Sequence, residues 1–179
     1  DDSLQLLSYA PPPADPTFSL AHSITDDYRA IAAASANLGA RAYVFIASEL
    51  ETVTSEWFFR LAHPISEQNF DLVTPNYVFH KFEAILTNSI LYPLTRSLYG
   101  KRIHNPLGPD FGISSNFLQI LLQTDPTQTN KGLPRLTVPV APEAASRNLQ
   151  VCQANLGERK HPPVDWKNLS SLLADVLGP

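Results

Sequence analysis

The stretch Tyr77 to Ser114, YVFHKFEAILTNSILYPLTRSLYGKRIHNPLGPDFGIS, decides how the rest of the chain is read. It has three parts. Tyr77-Val78-Phe79-His80-Lys81 is aromatic and basic and follows an apolar run. From Phe82 to Tyr99, apolar residues recur at Phe82, Ile85, Leu86, Ile90, Leu94 and Leu98. That spacing predicts an amphipathic helix. Pro93 lies inside this pattern, and its missing N–H predicts a kink. The third part is Asn105-Pro106-Leu107-Gly108-Pro109-Asp110-Phe111-Gly112. Its glycines and prolines predict a tight loop presenting Asp110, with Ser114 capping a following helix.

Upstream, Asp2 to Tyr9 reads as a short helix stopped by Pro11-Pro12-Pro13, and Phe18 to His22 alternates like a strand. Thr25 to Leu38 is alanine-rich, opens on acids and stops at Gly39, which predicts a helix. Arg41 to Ala47 (RAYVFIA) has the continuous apolar character of a strand buried on both faces. Thr54 caps a helix containing Trp57, Phe58 and Leu61, and Phe70 to Thr74 is another strand. This alternation predicts an α/β fold with a mostly parallel central sheet flanked by helices. Ligands of such sheets sit beyond the carboxyl ends of the strands.

Downstream, Phe117 to Leu122 continues the helix that Ser114 caps, and Thr124 to Thr137 reads as a surface loop. Arg147 to Gly157 reads as a late strand. A C-terminal helix starts near Asp165-Trp166 and carries Leu172, Leu173, Val176 and Leu177 on its apolar side.

The loop at Asn105–Asp110, together with the order of these segments, resembles the second half of retaining glycosyltransferases of the GT-A fold. The neighbourhood is that of mannosylglycerate synthase and glucosyl-3-phosphoglycerate synthase. In those enzymes a Pro-Leu-Gly-Gly-acid loop lies at the sugar site, and here Pro109 stands in place of the second glycine. The resemblance runs from Phe18 to Leu177 and treats residues 1–179 as one domain. It implies a nucleotide-sugar donor, a small acceptor, and Mg²⁺ or Mn²⁺ held against the donor diphosphate.

Site residues follow from the same resemblance. The family's Asp-any-Asp metal triplet falls at Ala47-Ser48-Glu49, so its first acid is replaced by Ala47. Glu49 is then a metal ligand, with Glu51 nearby, or both are acids of an exposed loop. His161 stands where a histidine completes the metal shell, or is an ordinary loop histidine. Asp110 is the catalytic and sugar-binding candidate, or a turn aspartate. His80, Lys81 and Gly108 are the further substrate-binding candidates. The family's Gly-x-Asp-x-Trp pattern falls on Gly132 to Leu136, where Pro134 replaces the acid. The alternative is a catalytically impaired relative that serves as a binding or assembly module. With so few acids, Mn²⁺ binding is expected to be weak without nucleotide.

Composition bounds the other classes. The chain has 179 residues, 44% hydrophobic and 17% charged, with net charge −4. That suits a globular domain and argues against a nucleic-acid footprint. No apolar run is long enough to span a bilayer. One cysteine, Cys152, precludes an internal disulfide and suits a reducing cytoplasm. The chain has no methionine and opens on Asp1-Asp2. Either it is a piece of a longer protein whose N-terminal nucleotide-binding unit lies elsewhere, or modified methionines are missing from the sequence. The 179-residue chain alone is expected to cover its sheet edge by forming a homodimer.

Overall fold

The computed structural model describes residues 24–35, 38–47, 52–79, 87–106, 108, 110–123 and 140–159. The segments read as a helix before Tyr9, a strand at Phe18–His22 and a C-terminal helix lie outside them. So do Gly132 and Pro134.

The described elements are α1 (Ile24–Ser35), β1 (Ala42–Phe45), α2 (Ser55–Gln68) and β2 (Leu72–Val78). A π turn (Thr87–Leu91) leads into α3 (Tyr92–Tyr99). Then come β3 (Phe111–Ser114), α4 (Ser115–Gln123), α5 (Val140–Ser146) and β4 (Val151–Glu158). The strand order is β1-β3-β2-β4. β3 is antiparallel to both of its neighbours, and β2 and β4 are parallel. Three of the four strands therefore run one way, as the alternation of strands and helices predicts, and β3 is the reversed insert.

Helices cover both faces of the sheet. On one face Leu72 and Ile113 pack with Phe117, Leu118 and Leu121 of α4, Tyr28 of α1 and Ala144 of α5. On the other, Val73, Tyr77, Ala154 and Leu156 pack with Trp57, Leu61 and Ile65 of α2. Leu72 and Val73 go to opposite faces because strand side chains alternate. Pro75 lies farther along β2, past the two residues that pair with β3. Its missing N–H therefore removes no bond to that neighbour.

Several sequence expectations hold in detail. The run after α1 turns at Gly39 with φ +60°, a conformation glycine adopts without strain. Ser114 caps α4, its Oγ accepting a hydrogen bond from Phe117 N at 3.1 Å. Ser114→Ala should cost about 1 kcal/mol. A urea titration showing no shift in midpoint would contradict that role.

Three expectations need correction. Phe111 to Ser114 is a strand, not merely the approach to a cap. A helix at Val140–Ser146, unread in the sequence, precedes β4. The stripe predicted through Ile90, Leu94 and Leu98 does not face the core. Leu94 and Leu98 are 43% and 65% exposed, whereas Leu91 and Thr95 are buried. The cause is the π turn, whose wider loop carries an extra residue. One residue is about 100° around a helix, so the buried stripe moves on by one position. Pro93 sits in the first turn of α3, directly after the π turn.

Candidate functional site at the strand ends

Because β3 runs against its neighbours, its first residue lies at the same end as the last residues of β1, β2 and β4. Asp110 immediately precedes β3. It is fully buried, and its carboxylate gathers donors from all three other strand ends. Ala47 N donates to Oδ1 at 2.8 Å. The Tyr77 hydroxyl donates to Oδ2 at 2.6 Å, and Arg159 Nε donates to the same oxygen at 3.1 Å. The Arg159 guanidinium also lies over the Tyr77 ring, 5.5 Å from its centroid. Phe111 and Phe45, paired across β3 and β1, stack at 4.9 Å beside this junction.

A buried carboxylate is tolerable only when paired and hydrogen-bonded, and this one is both. Tyr77 is held far above the ordinary phenol range. Burial is the main cause, the Asp110 charge and hydrogen bond add to it, and Arg159 opposes it. The hydroxyl therefore stays protonated and serves as a donor.

The geometry changes the reading of Asp110. The sequence places it in a loop facing a cleft; the fold places it inside, with both oxygens bonded to protein donors. Ala47, which stands where the family's first metal-binding acid would fall, supplies its backbone N–H to that carboxylate. Gly108 is part of the same loop, its N–H reaching Asn105 O at 3.4 Å. A Cβ at Gly108 would lie 2.3 Å from Asn105 Nδ2, so the Asn105 side chain would have to turn aside.

Glu49, Glu51, His80, Lys81 and His161 lie outside the described residues. Ala47 and Arg159, each bonded to Asp110, precede Glu49 and His161 by two positions in sequence. Among the described residues no group of three His, Cys, Asp or Glu side chains is placed to hold a metal ion. Asp110 is fully buried and accepts three bonds from protein donors.

Tyr77 and Arg159 are the residues that the sequence reading missed. Tyr77 stands in the opening stretch, where it reads as one more strand aromatic. Arg159 follows a predicted strand and precedes His161, but nothing in the sequence pairs it with Asp110.

Among the described residues, a cavity lies at each end of the sheet. One, of about 660 Å³, lies between α2 and the last residues of β2 and β4 and is lined in part by Tyr77. The other, of about 290 Å³, lies at the opposite end beside Asp71. There the Asp71 carboxylate accepts from Ser114 Oγ at 3.1 Å and Gln150 N at 3.2 Å, which ties β3 and β4 to β2.

Cys152, on β4, is the one cysteine, and burial pushes its thiol from the ordinary 9.0 up to about 11. The sign follows directly. The folded state prefers the neutral thiol, so this contribution to stability is complete below pH 9 and is lost as pH rises toward 11. Alkylation by iodoacetamide should therefore keep accelerating past pH 9. At pH 8 it should be slower than in the urea-unfolded chain by about two orders of magnitude, since the thiolate is the nucleophile. A native rate that levels off near pH 9 would contradict this.

No helix among the described residues is long and apolar enough to cross a membrane. No protein-family model matches the chain, and no curated protein does. Solved structures do match. Glucosyl-3-phosphoglycerate synthase from Mycobacterium tuberculosis, crystallised with Mn²⁺, UDP-glucose and glycerol 3-phosphate, is 20% identical with a TM-score of 0.56. The match covers 85% of this chain and 55% of that one. The same enzyme with Mg²⁺ and UDP matches with the same score, identity and coverage. A structure described as a mycobacterial protein is 18% identical, with a TM-score of 0.55, over 85% of this chain and 52% of that one. The chain thus spans about half the length of the solved proteins it matches, and over that span it has the GT-A glycosyltransferase fold.

Proposed function

We propose that the chain is part of a glycosyltransferase that moves a sugar from a nucleotide-activated donor to a small acceptor with retention of configuration. The observation that carries this reading is the Asp110 junction. It brings the ends of β1, β2 and β4 and the Asn105–Asp110 loop to one place, and the proposed site residues lie in this loop or follow these strands in sequence. The solved neighbours were crystallised with UDP-sugar and a divalent cation, which supports the same donor class here.

In this reading His80, Lys81 and Gly108 contact substrate, and Glu49 and His161 are the protein's ligands for Mg²⁺ or Mn²⁺. Asp110 is the catalytic and sugar-binding residue in this reading, held in place by Ala47 N, the Tyr77 hydroxyl and Arg159. The strand ends contribute positioning and fixed charge, which are large terms in group transfer.

The second reading is a binding or assembly module without transferase activity. Ala47 and Pro134, each standing where the resembled enzymes carry an acid, favour it. Incubating the 179-residue chain with UDP-glucose, Mn²⁺ and an acceptor panel that includes glycerol 3-phosphate separates the two. Mass spectrometry should find a glucosylated acceptor and UDP in equal amounts. Binding of UDP-glucose with no product would leave the module reading.

The proposal also takes residues 1–179 as one domain, working in the cytoplasm as a homodimer. β1 lies at one end of the described sheet order, where a second copy would pair. Light scattering giving twice 19.7 kDa is the expected result.

A further inference from the structure

The larger cavity, between α2 and the ends of β2 and β4, has the size of a small-molecule site. Its chemistry narrows what it can hold. The charged groups that line it are Glu56, Arg60 and Glu158. Each Arg60 nitrogen makes one bond, which uses three of its five N–H donors. Nε and Nη2 donate to Glu56 Oε1 at 2.9 and 2.6 Å, and Nη1 donates to Asn155 O at 2.6 Å. Two carboxylates against one guanidinium give this lining a net negative charge, so a phosphate or carboxylate is disfavoured beside Glu158.

The uncommitted groups are of both hydrogen-bonding senses. Asn76 Nδ2 donates to Asn155 Oδ1 at 2.8 Å across the parallel strands. Among the described residues, that leaves Asn76 Oδ1 and the Glu158 carboxylate as acceptors and Asn155 Nδ2 as a donor. Thr54 stands at the N-cap of α2, but its hydroxyl makes no capping bond. It can both donate and accept. Val78, 66% exposed, and Leu156 supply carbon surface in the same cavity. Hydroxyl groups both give and take hydrogen bonds, and a sugar ring adds a face of C–H groups. An apolar ligand would strand the amides.

We propose that this cavity binds an uncharged saccharide. The site is defined by Asn76, Asn155, Thr54 and Glu158, with the neutralised Glu56–Arg60 pair as its wall. The cavity borders the Asp110 junction through Tyr77, but the proposal concerns a sugar bound without nucleotide or metal, so it is tested apart from the transferase reading.

The test is saturation-transfer NMR on the 179-residue chain with glucose, mannose and maltotriose, without nucleotide or metal. Glycerol 3-phosphate serves as the anionic comparison. Saturation should reach the ring C–H protons of at least one sugar and not glycerol 3-phosphate. Asn155→Leu should weaken that sugar at least tenfold. Asn155 is exposed, and the backbone oxygen that holds Arg60 is kept in this variant. If the variant nevertheless fails to fold, Asn76→Leu carries the same expectation. The proposal is overturned if no sugar shows transfer at millimolar concentration, or if affinity is unchanged in a folded variant of either type. Either result leaves the UDP-glucose assay untouched, so the two readings fail separately.

Discussion

Asp110→Ala is expected to destabilise the fold by about 3–5 kcal/mol, the cost of removing one partner from a buried ion pair. The substitution strands three donors at once: Ala47 N, the Tyr77 hydroxyl and Arg159 Nε. For a chain of this size the melting temperature should fall by roughly 6–20 °C. Tyr77→Phe removes one donor and leaves the ion pair, so it should cost less, about 1.5–3 kcal/mol. In a double-mutant cycle, Asp110→Ala and Arg159→Met should be strongly non-additive. Thermal unfolding measures all three. A loss below about 1 kcal/mol for Asp110→Ala would show that the carboxylate is solvated and that the junction does not exist.

Gly112→Val should cost about 3 kcal/mol or more, at the upper end of what overpacking does. Gly112 lies on β3, the strand between β1 and β2, where α2 crosses most closely. A Cβ there would stand 2.5 Å from the Leu61 carbonyl oxygen and 3.0 Å from Ile65 Cδ1. Ile65 could shift, but the Leu61 oxygen is helix backbone and cannot move without displacing α2. Since α2 also carries Trp57 and Leu61 into the core, the displacement should spread across that face. Urea unfolding would detect it, and Gly112→Ala should show the same effect at smaller size. A Val variant as stable as the parent would mean that α2 does not approach β3 in this way.

The sequence was most legible where one local signal determines one element. A continuous apolar run marked β1, Phe70 to Thr74 marked the start of β2, Gly39 marked the end of the α1 region, and Ser114 marked the start of α4. It was least legible where the answer depends on partners distant in the chain. Nothing local distinguishes Phe111 to Ser114 from a loop. Its four residues become a strand because β1 and β2 flank them. The Leu94–Leu98 stripe misled because a π turn carries no apolar signature, yet it moves every following side chain by one position.

The candidate site divides the same way. Asp110 was visible from its glycine-proline loop. Its burial was not, because Tyr77 and Arg159 lie 33 and 49 residues away along the chain. Arg159 carries no local signal that pairs it with a buried acid, yet its Nε is spent on one.

The central claim is that the ends of β1, β2 and β4, joined by Asp110, form the face where a nucleotide sugar binds. Amide shift mapping with UDP-glucose and Mg²⁺ tests it most directly. The account predicts the largest shifts at Ala47, Tyr77, Asp110 and Arg159, with little change at Asp71 and Gln150 at the opposite end of the sheet. Shifts centred on Asp71, or none at millimolar UDP-glucose, would contradict it.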